Sequence, residues 1–256
     1  MINLCIIPAR MDSSRFPGKP LEKLLSLPLV LHVYERCRIA DSLDQVFIAT
    51  CDEAIRDACE THGAAVIMTR DDHPGAVDRT AEAAGLVGGD LADDDLVLMI
   101  QGDEVLVGPD MIDQIVEAFN ASDTPVVNLA SPIADDADHD DVNVVKVATA
   151  LDGRALFYSR TPIPSRARKT HDALFQQTGV IGFSKSFLKT FLKLDRTPLE
   201  ITEGIDMLRT LEHGYGIQIV AATRPTIGVD TPDELQRAEE ILASDPLTRT
   251  YLSGAK

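Results

Sequence analysis

Positive charge is scarce in this chain. Its 256 residues carry 24 Lys+Arg against 41 Asp+Glu, a formal net charge of −17. That balance argues against nonspecific binding to nucleic acid or to an anionic membrane, yet it leaves room for a local basic site that takes a small anion. Cysteine is scarce too. Cys5, Cys37, Cys51 and Cys59 show no C-x-x-C spacing and sit in no His-rich cluster, which points away from a disulfide framework or a zinc site and towards free, mostly buried thiols. No apolar run approaches the ~18–20 residues of a membrane span. The segment Met1–Pro8 has no positively charged n-region, so a soluble, cytoplasmic protein without a signal peptide is expected. The phosphate-binding spacing G-x-x-x-x-G-K-[ST] is missing as well. With no internal repeat, low-complexity tract or linker, one domain over 1–256 is expected.

What is present is ordinary globular material, 45% apolar and 25% charged, in a chain long enough to bury a full core. The first half alternates short apolar runs with helical periodicity. Strands are predicted at Ile2–Ile7, Gln45–Thr50, Val66–Met68 and Leu96–Ile100, and helices at Leu29–Ile39, Glu53–His62, Asp78–Val87 and Pro109–Asn120, with Gly63 stopping the second. Such alternation predicts an α/β fold with a mainly parallel, doubly wound sheet. The second half is less regular. Strands are expected at Pro125–Ala130, Asn143–Thr149, Ala155–Ser159, Val180–Phe183, Ile217–Ala221 and Ile227–Val229. One amphipathic helix is expected over Ile201–His213, and a closing helix over Pro232–Leu242 capped by Thr231 or Asp230. The acidic run Asp135–Asp141 reads as a solvated loop.

Three segments carry chemistry. The loop Pro8–Pro20 follows the first strand and packs Arg10, Arg15, Lys19, Ser13, Ser14 and Gly18 into ten residues or so. Cations, hydroxyls and glycine-flanked backbone N–H groups at the carboxyl end of a strand suit a polyphosphate. Gln101-Gly102-Asp103-Glu104 follows the fourth strand directly, and a carboxylate there is a natural Mg²⁺ ligand beside substrate phosphates. Asp230 has the same strand-end placement, with a helix cap as its alternative role. The weaker third segment, Met68–Arg79, mixes both charges between a strand and a helix.

In order, Ile7-Pro8-Ala9-Arg10, Ser13-Ser14-Arg15, Pro17-Gly18-Lys19-Pro20-Leu21, Met68-Thr69, His73-Pro74, Asp78-Arg79, Gln101-Gly102-Asp103-Glu104, Tyr158-Ser159-Arg160 and Val229-Asp230-Thr231-Pro232 resemble the 3-deoxy-manno-octulosonate (Kdo) cytidylyltransferase family over nearly the whole chain. The resemblance implies a nucleotide-diphospho-sugar-transferase fold, a Mg²⁺ cofactor and transfer of CMP from CTP to a sugar acid. It also implies a homodimer built from the less regular region at about 125–200. By the same resemblance Arg10, Ser13, Ser14, Arg15 and Lys19 bind the CTP phosphates, and Met68 and Thr69 read cytosine. Asp103 and Asp230 hold the metal, and His73, Arg79, Gln101, Arg160, Gln177 and Asp206 face the sugar acid. Arg10, Lys19 and Asp103 are the implied catalytic set.

The departures fall mostly on the acceptor side. The family's H-x-S-G-T-D-R reads His73-Pro74-Gly75-Ala76-Val77-Asp78-Arg79 here. Its Q-G-D-E-P ends in Val105, its His-x-Gly-x-Tyr reads Gln177-Thr178-Gly179-Val180-Ile181, and its L-E-Q-L-R reads Ile205-Asp206-Met207-Leu208-Arg209. Hydroxyl, imidazole and phenol groups are gone together, so Kdo is expected to be a poorer acceptor than a related acid. Kdo as the default acceptor, another ulosonic acid, a phosphonate, and a catalytically silent nucleotide-binding paralogue all stay open on the sequence.

Overall fold

A computed structural model of the chain describes residues 1–12, 16–87, 91–133, 135–165, 167–168 and 174–253. The first half follows strand with helix: β1 (Asn3–Pro8), α1 (Leu29–Arg38), β2 (Gln45–Thr50), α2 (Glu53–His62), β3 (Val66–Met68), α3 (Ala76–Leu86), β4 (Leu96–Ile100) and α4 (Pro109–Ala121). The second half runs β5 (Val126–Pro132), α5 (Asp136–Asp140), β6 (Lys146–Thr149), β7 (Ala155–Ser159), β8 (Phe175–Ser184), α6 (Lys185–Phe191), α7 (Pro198–Glu203), α8 (Met207–Glu212), β9 (Ile217–Ala221), α9 (Pro232–Ser244) and α10 (Pro246–Leu252).

Nine strands of the described residues form one sheet, ordered β9-β5-β8-β4-β1-β2-β3, with β6 paired to β8 and to β7. The pairs β1–β2, β1–β4, β2–β3 and β5–β9 are parallel, whereas β8 runs antiparallel to β4, β5 and β6. The mainly parallel α/β fold expected from the sequence is therefore present. The sheet is buried on both faces because β1 alternates its apolar residues. Cys5 and Ile7 pack with α1, α2, α4 and the C-terminal helices, while Leu4 and Ile6 pack with α3, α6 and α8. Burying each such side chain is worth about 1.5–3 kcal/mol. The chain leaves β1 for β2 on one side and returns beside it as β4 on the other. The carboxyl ends of β1 and β4 therefore flank the point where strand order reverses, where ligands bind in open sheets of this kind. No helix among the described residues is long and apolar enough to cross a membrane.

Several boundaries differ from expectation. Helix α3 begins at Ala76 rather than Asp78, because Gly75 is extended at its N-cap and frees the next residue to turn. The expected helix over Ile201–His213 is two, α7 and α8, separated by Gly204 at φ 65°, a left-handed conformation that ends a helix. The acidic run contains the short helix α5, anchored by buried His139 and capped by Asp135, which accepts from the Ala137 N–H. Ile227–Val229 forms no strand, although the Val229 N–H reaches the Asp103 carbonyl. Its short apolar run reflects burial of Val229 rather than ladder pairing. Strand β8 is longer than expected because a bulge between Gln177 and Ile181 interrupts its pairing with β5 and masks the periodicity. Thr231, not Asp230, caps α9.

Candidate active site

The first wall grows from β1. Past Pro8 the backbone continues through Ala9, whose N–H bonds the Ala49 carbonyl, to Met11, whose N–H bonds the Asp52 carboxylate. Gly18 then returns its N–H to the Met11 carbonyl, 3.0 Å away. It does so at φ 78°, a conformation that suits glycine, and opens a 3₁₀ turn over Lys19–Leu21. This turn places the Lys19 side chain, almost fully buried, under the loop. Its ammonium lies 2.6 Å from Asp103 and 2.9 Å from Asp230. Burial works against the charge, but Asp103 and then Asp230 outweigh it and hold the ammonium above the ordinary lysine range. The contact spans 84 residues to Asp103 and 211 to Asp230. Three loops thus meet on one cation.

Gln101 and Asp103 reach the same place from the end of β4. Gln101 closes onto the bulge of β8, its N–H on the Gly179 carbonyl. A Cβ on Gly179 would stand 2.8 Å from the Gln101 side chain, so this close approach requires glycine. Gly179 in turn donates its N–H to Glu104. Glu104 is buried, and its second oxygen, Oε2, has no hydrogen-bond partner among the described residues. Burial first, and the neighbouring Asp103 charge second, push its carboxyl up to about 7.

A third wall comes from the loop before α3. Arg79, 3% exposed, donates to the Thr69 hydroxyl and to the Arg70 carbonyl, and so holds the end of β3 against the helix. His73 is buried against Glu82.

Two cavities follow. One, of about 310 Å³, is lined by Arg10, Lys19, His73, Arg79, Gln101, Asp103 and Asp230, with Gly75 and Gly102 between them. The other, of about 650 Å³, takes in Gln101, Asp103, Glu104, Arg160, Gln177, Asp206 and Asp230. They share Gln101, Asp103 and Asp230. Met68 and Thr69 do not line either cavity, and Arg79 connects Thr69 to the first. Ser13, Ser14 and Arg15 lie outside the described residues.

In the larger cavity the Arg160 guanidinium is spread over backbone carbonyls, with Nε on Glu203 at 2.6 Å and Nη1 on Val142 at 3.0 Å. Asp206 has its carboxyl raised chiefly by burial. Of the positions that depart from the Kdo pattern, Val77, Gln177, Ile181, Ile205, Asp206 and Met207 line this cavity, whereas Gly75 and Ala76 line the smaller one and Val105 lines neither. Two residues here escaped the sequence reading as site residues. Glu104 ends the motif Gln101-Gly102-Asp103-Glu104, but its burial is a tertiary property. Lys146, fully buried beside the cavity wall, stood out only as a lone cation in the apolar run Val144–Val147.

The sequence profile of the cytidylyltransferase family matches residues 4–219. The chain is 44% identical over 243 residues to the 3-deoxy-manno-octulosonate cytidylyltransferase of Syntrophobacter fumaroxidans, covering 94% of this chain and 96% of that protein. It is 40% identical over 243 residues to the 8-amino-3,8-dideoxy-manno-octulosonate cytidylyltransferase of Shewanella frigidimarina, covering 94% and 98%. The solved structure of CMP:2-keto-3-deoxy-manno-octonic acid synthetase complexed with CTP matches with a TM-score of 0.87 at 30% identity, over 95% of this chain and 99% of that one. The chain belongs to the cytidylyltransferase family and is a nucleotidyltransferase.

Proposed function

We propose that this protein transfers CMP from CTP to a 2-keto-3-deoxy sugar acid of the Kdo type and releases pyrophosphate. The observation that carries the reading is the junction of the two cavities at Gln101, Asp103 and Asp230. The smaller cavity offers three cations to a triphosphate in a chain of net charge −17: Arg10, Lys19 and Arg79, the last of which, with His73, the resemblance sets against the sugar acid although both line this cavity and not the larger one. The larger one is open enough for a sugar acid, and the donor phosphorus and acceptor oxygen would meet where the two join.

The acceptor's anomeric oxygen forms the new bond to the α-phosphorus, the bond from that phosphorus to the β-phosphate oxygen breaks, and the hydroxyl proton leaves to solvent. Attacking and leaving oxygens must lie roughly in line, so the protein's work is positioning and charge neutralisation. Lys19 and Arg10 neutralise the triphosphate, and Gln101 and Arg160 line the acceptor side. Asp103 and Asp230 fit a Mg²⁺ ion, since two hard carboxylates already converge on one cation, the Lys19 ammonium. When bound, Mg²⁺ would polarise the α-phosphate and lower the pKa of the attacking hydroxyl.

The chain would act as one folding unit in the cytoplasm and supply an activated sugar for lipopolysaccharide. A homodimer is part of the proposal. Leu156 on β7 and Leu151 in the adjoining turn are exposed within the 125–200 region and would be covered by a second copy. Sedimentation should then show a dimer that Leu156→Glu dissociates, and a wild-type monomer would remove this part.

The acceptor is decided by pyrophosphate release with CTP and Mg²⁺ across Kdo, its 8-amino analogue, other ulosonic acids and phosphonates. A kcat/KM of ~10⁴ M⁻¹s⁻¹ or more on a Kdo-type acid supports the reading. The missing hydroxyl, imidazole and phenol groups favour a relative of Kdo over Kdo itself, and full activity on Kdo would end that preference. No release with any sugar acid would sink the whole reading.

A further inference from the structure

We propose that Lys146 is a positioning residue that shapes the acceptor wall and holds Arg160 in place. The inference rests on the acceptor reading of the larger cavity. Lys146 is fully buried on β6. Its ammonium donates to three backbone carbonyls, Asp141 at 2.7 Å, Val144 at 2.7 Å and Arg160 at 2.5 Å. All three residues line the larger cavity.

An ammonium has three N–H donors, and here all three are spent. Lys146 therefore has none to offer a ligand and acts through the backbone it holds. Burial lowers its pKa, so the charge is maintained against a penalty that its three acceptors oppose. The Arg160 side chain then carries the bracing onward. Its guanidinium crosses back to the Val142 carbonyl on the loop that Lys146 ties and reaches the Glu203 carbonyl at the end of α7, while the Arg160 backbone N–H donates to the Glu203 carboxylate. One buried cation thus fixes the 141–144 loop and the end of β7, and through Arg160 the end of α7. Among the described residues this clamp has no hydrogen bond to the loop after β1, so CTP binding should depend on it little.

The test is Lys146→Met, with Lys146→Gln beside it as a variant that retains amide donors. The expected result is a KM for the acceptor raised about 10- to 100-fold, the scale of a small misplacement of a positioning wall. CTP affinity by calorimetry should stay within about twofold, and kcat at saturating acceptor should fall less than KM rises. Hydrogen exchange should speed up at residues 141–144, 160–161 and 203–204. Combined with Arg160→Lys, Lys146→Met should add little to the acceptor KM, because both act on one wall.

An unchanged acceptor KM with only a lower melting temperature would overturn the proposal, as would equal weakening of CTP or full additivity with Arg160→Lys. Recovery of both Lys146 variants only as aggregates would overturn it too, by assigning Lys146 to the fold. If the wild type turned over no sugar acid, the acceptor reading would fall by itself. Hydrogen exchange would then decide the clamp, with unchanged rates at those residues counting against it.

Discussion

Replacing Lys19 by methionine removes the cation on which two carboxylates converge and keeps most of the apolar stem. In the folded protein Asp103 and Asp230 would then lose the ammonium they share. Hydrogen bonds to charged groups contribute about 1.5–3 kcal/mol each, and stripping one partner from a fully buried ion pair costs about 3–5 kcal/mol. The two aspartate side chains here are 18% and 32% exposed, so water screens part of the loss. The expected destabilisation is therefore about 2 kcal/mol. For a chain of this size that lowers Tm by about 4–8 °C. The assay is thermal melting of wild type and Lys19→Met in EDTA and in millimolar Mg²⁺. The variant should melt low in EDTA and recover part of the difference in Mg²⁺, because a divalent ion can replace the ammonium between the carboxylates. Triphosphate affinity should still drop by about 100-fold, since the ion restores the fold and not the lysine's own contact with phosphate. A variant that melts like the wild type in EDTA, or that gains nothing from Mg²⁺, would refute the convergence argument.

Asp103→Asn and Asp230→Asn should each lower kcat by roughly 10²-fold while leaving the fold intact, the scale of losing one preorganised electrostatic contact; near-normal turnover in either at saturating Mg²⁺ would remove that residue from the metal site. Glu104 should make stability fall with rising pH. Its folded carboxyl is pushed up to about 7 against an ordinary 4.5, so the folded state holds a proton that the unfolded state has released. The contribution is full below pH ~4.5 and lost as pH rises to ~7, about 3 kcal/mol in all. Glu104→Gln should flatten that slope in denaturant titrations between pH 5 and 7, and parallel slopes in both proteins would contradict the assignment. Arg79→Lys should loosen the Thr69–Arg70 segment and reduce the preference for CTP over UTP about tenfold in competition binding; an unchanged ratio would separate Arg79 from base reading.

The legible part of the fold was the part whose hydrophobic period is unbroken. Strands β2, β3 and β4 and helix α2 stand where their apolar runs and the Gly63 stop place them, because each is specified by residues within its own span. Gly204 divides one helical pattern into two helices by a single left-handed residue, a backbone choice that amphipathic spacing does not record. The β8 bulge has the same effect on period-two alternation. For the candidate site, chain chemistry located Lys19 in a turn and Asp103 at a strand end, and placed Asp230 after a segment that forms no strand, but it did not show their meeting, which depends on the crossover order of the sheet. Buried charge was the least legible feature. Glu104 and Lys146 look like surface residues in the sequence, and only the packing around them makes one a perturbed acid and the other a clamp.

The most direct measurement is ³¹P NMR of the wild-type protein with CTP, Mg²⁺ and a Kdo-type acid. The proposed transfer predicts one new phosphodiester signal from a CMP–sugar acid, growing one-to-one with pyrophosphate, and none when ATP or GTP replaces CTP. Pyrophosphate without the phosphodiester, or an equal signal from ATP, would contradict it.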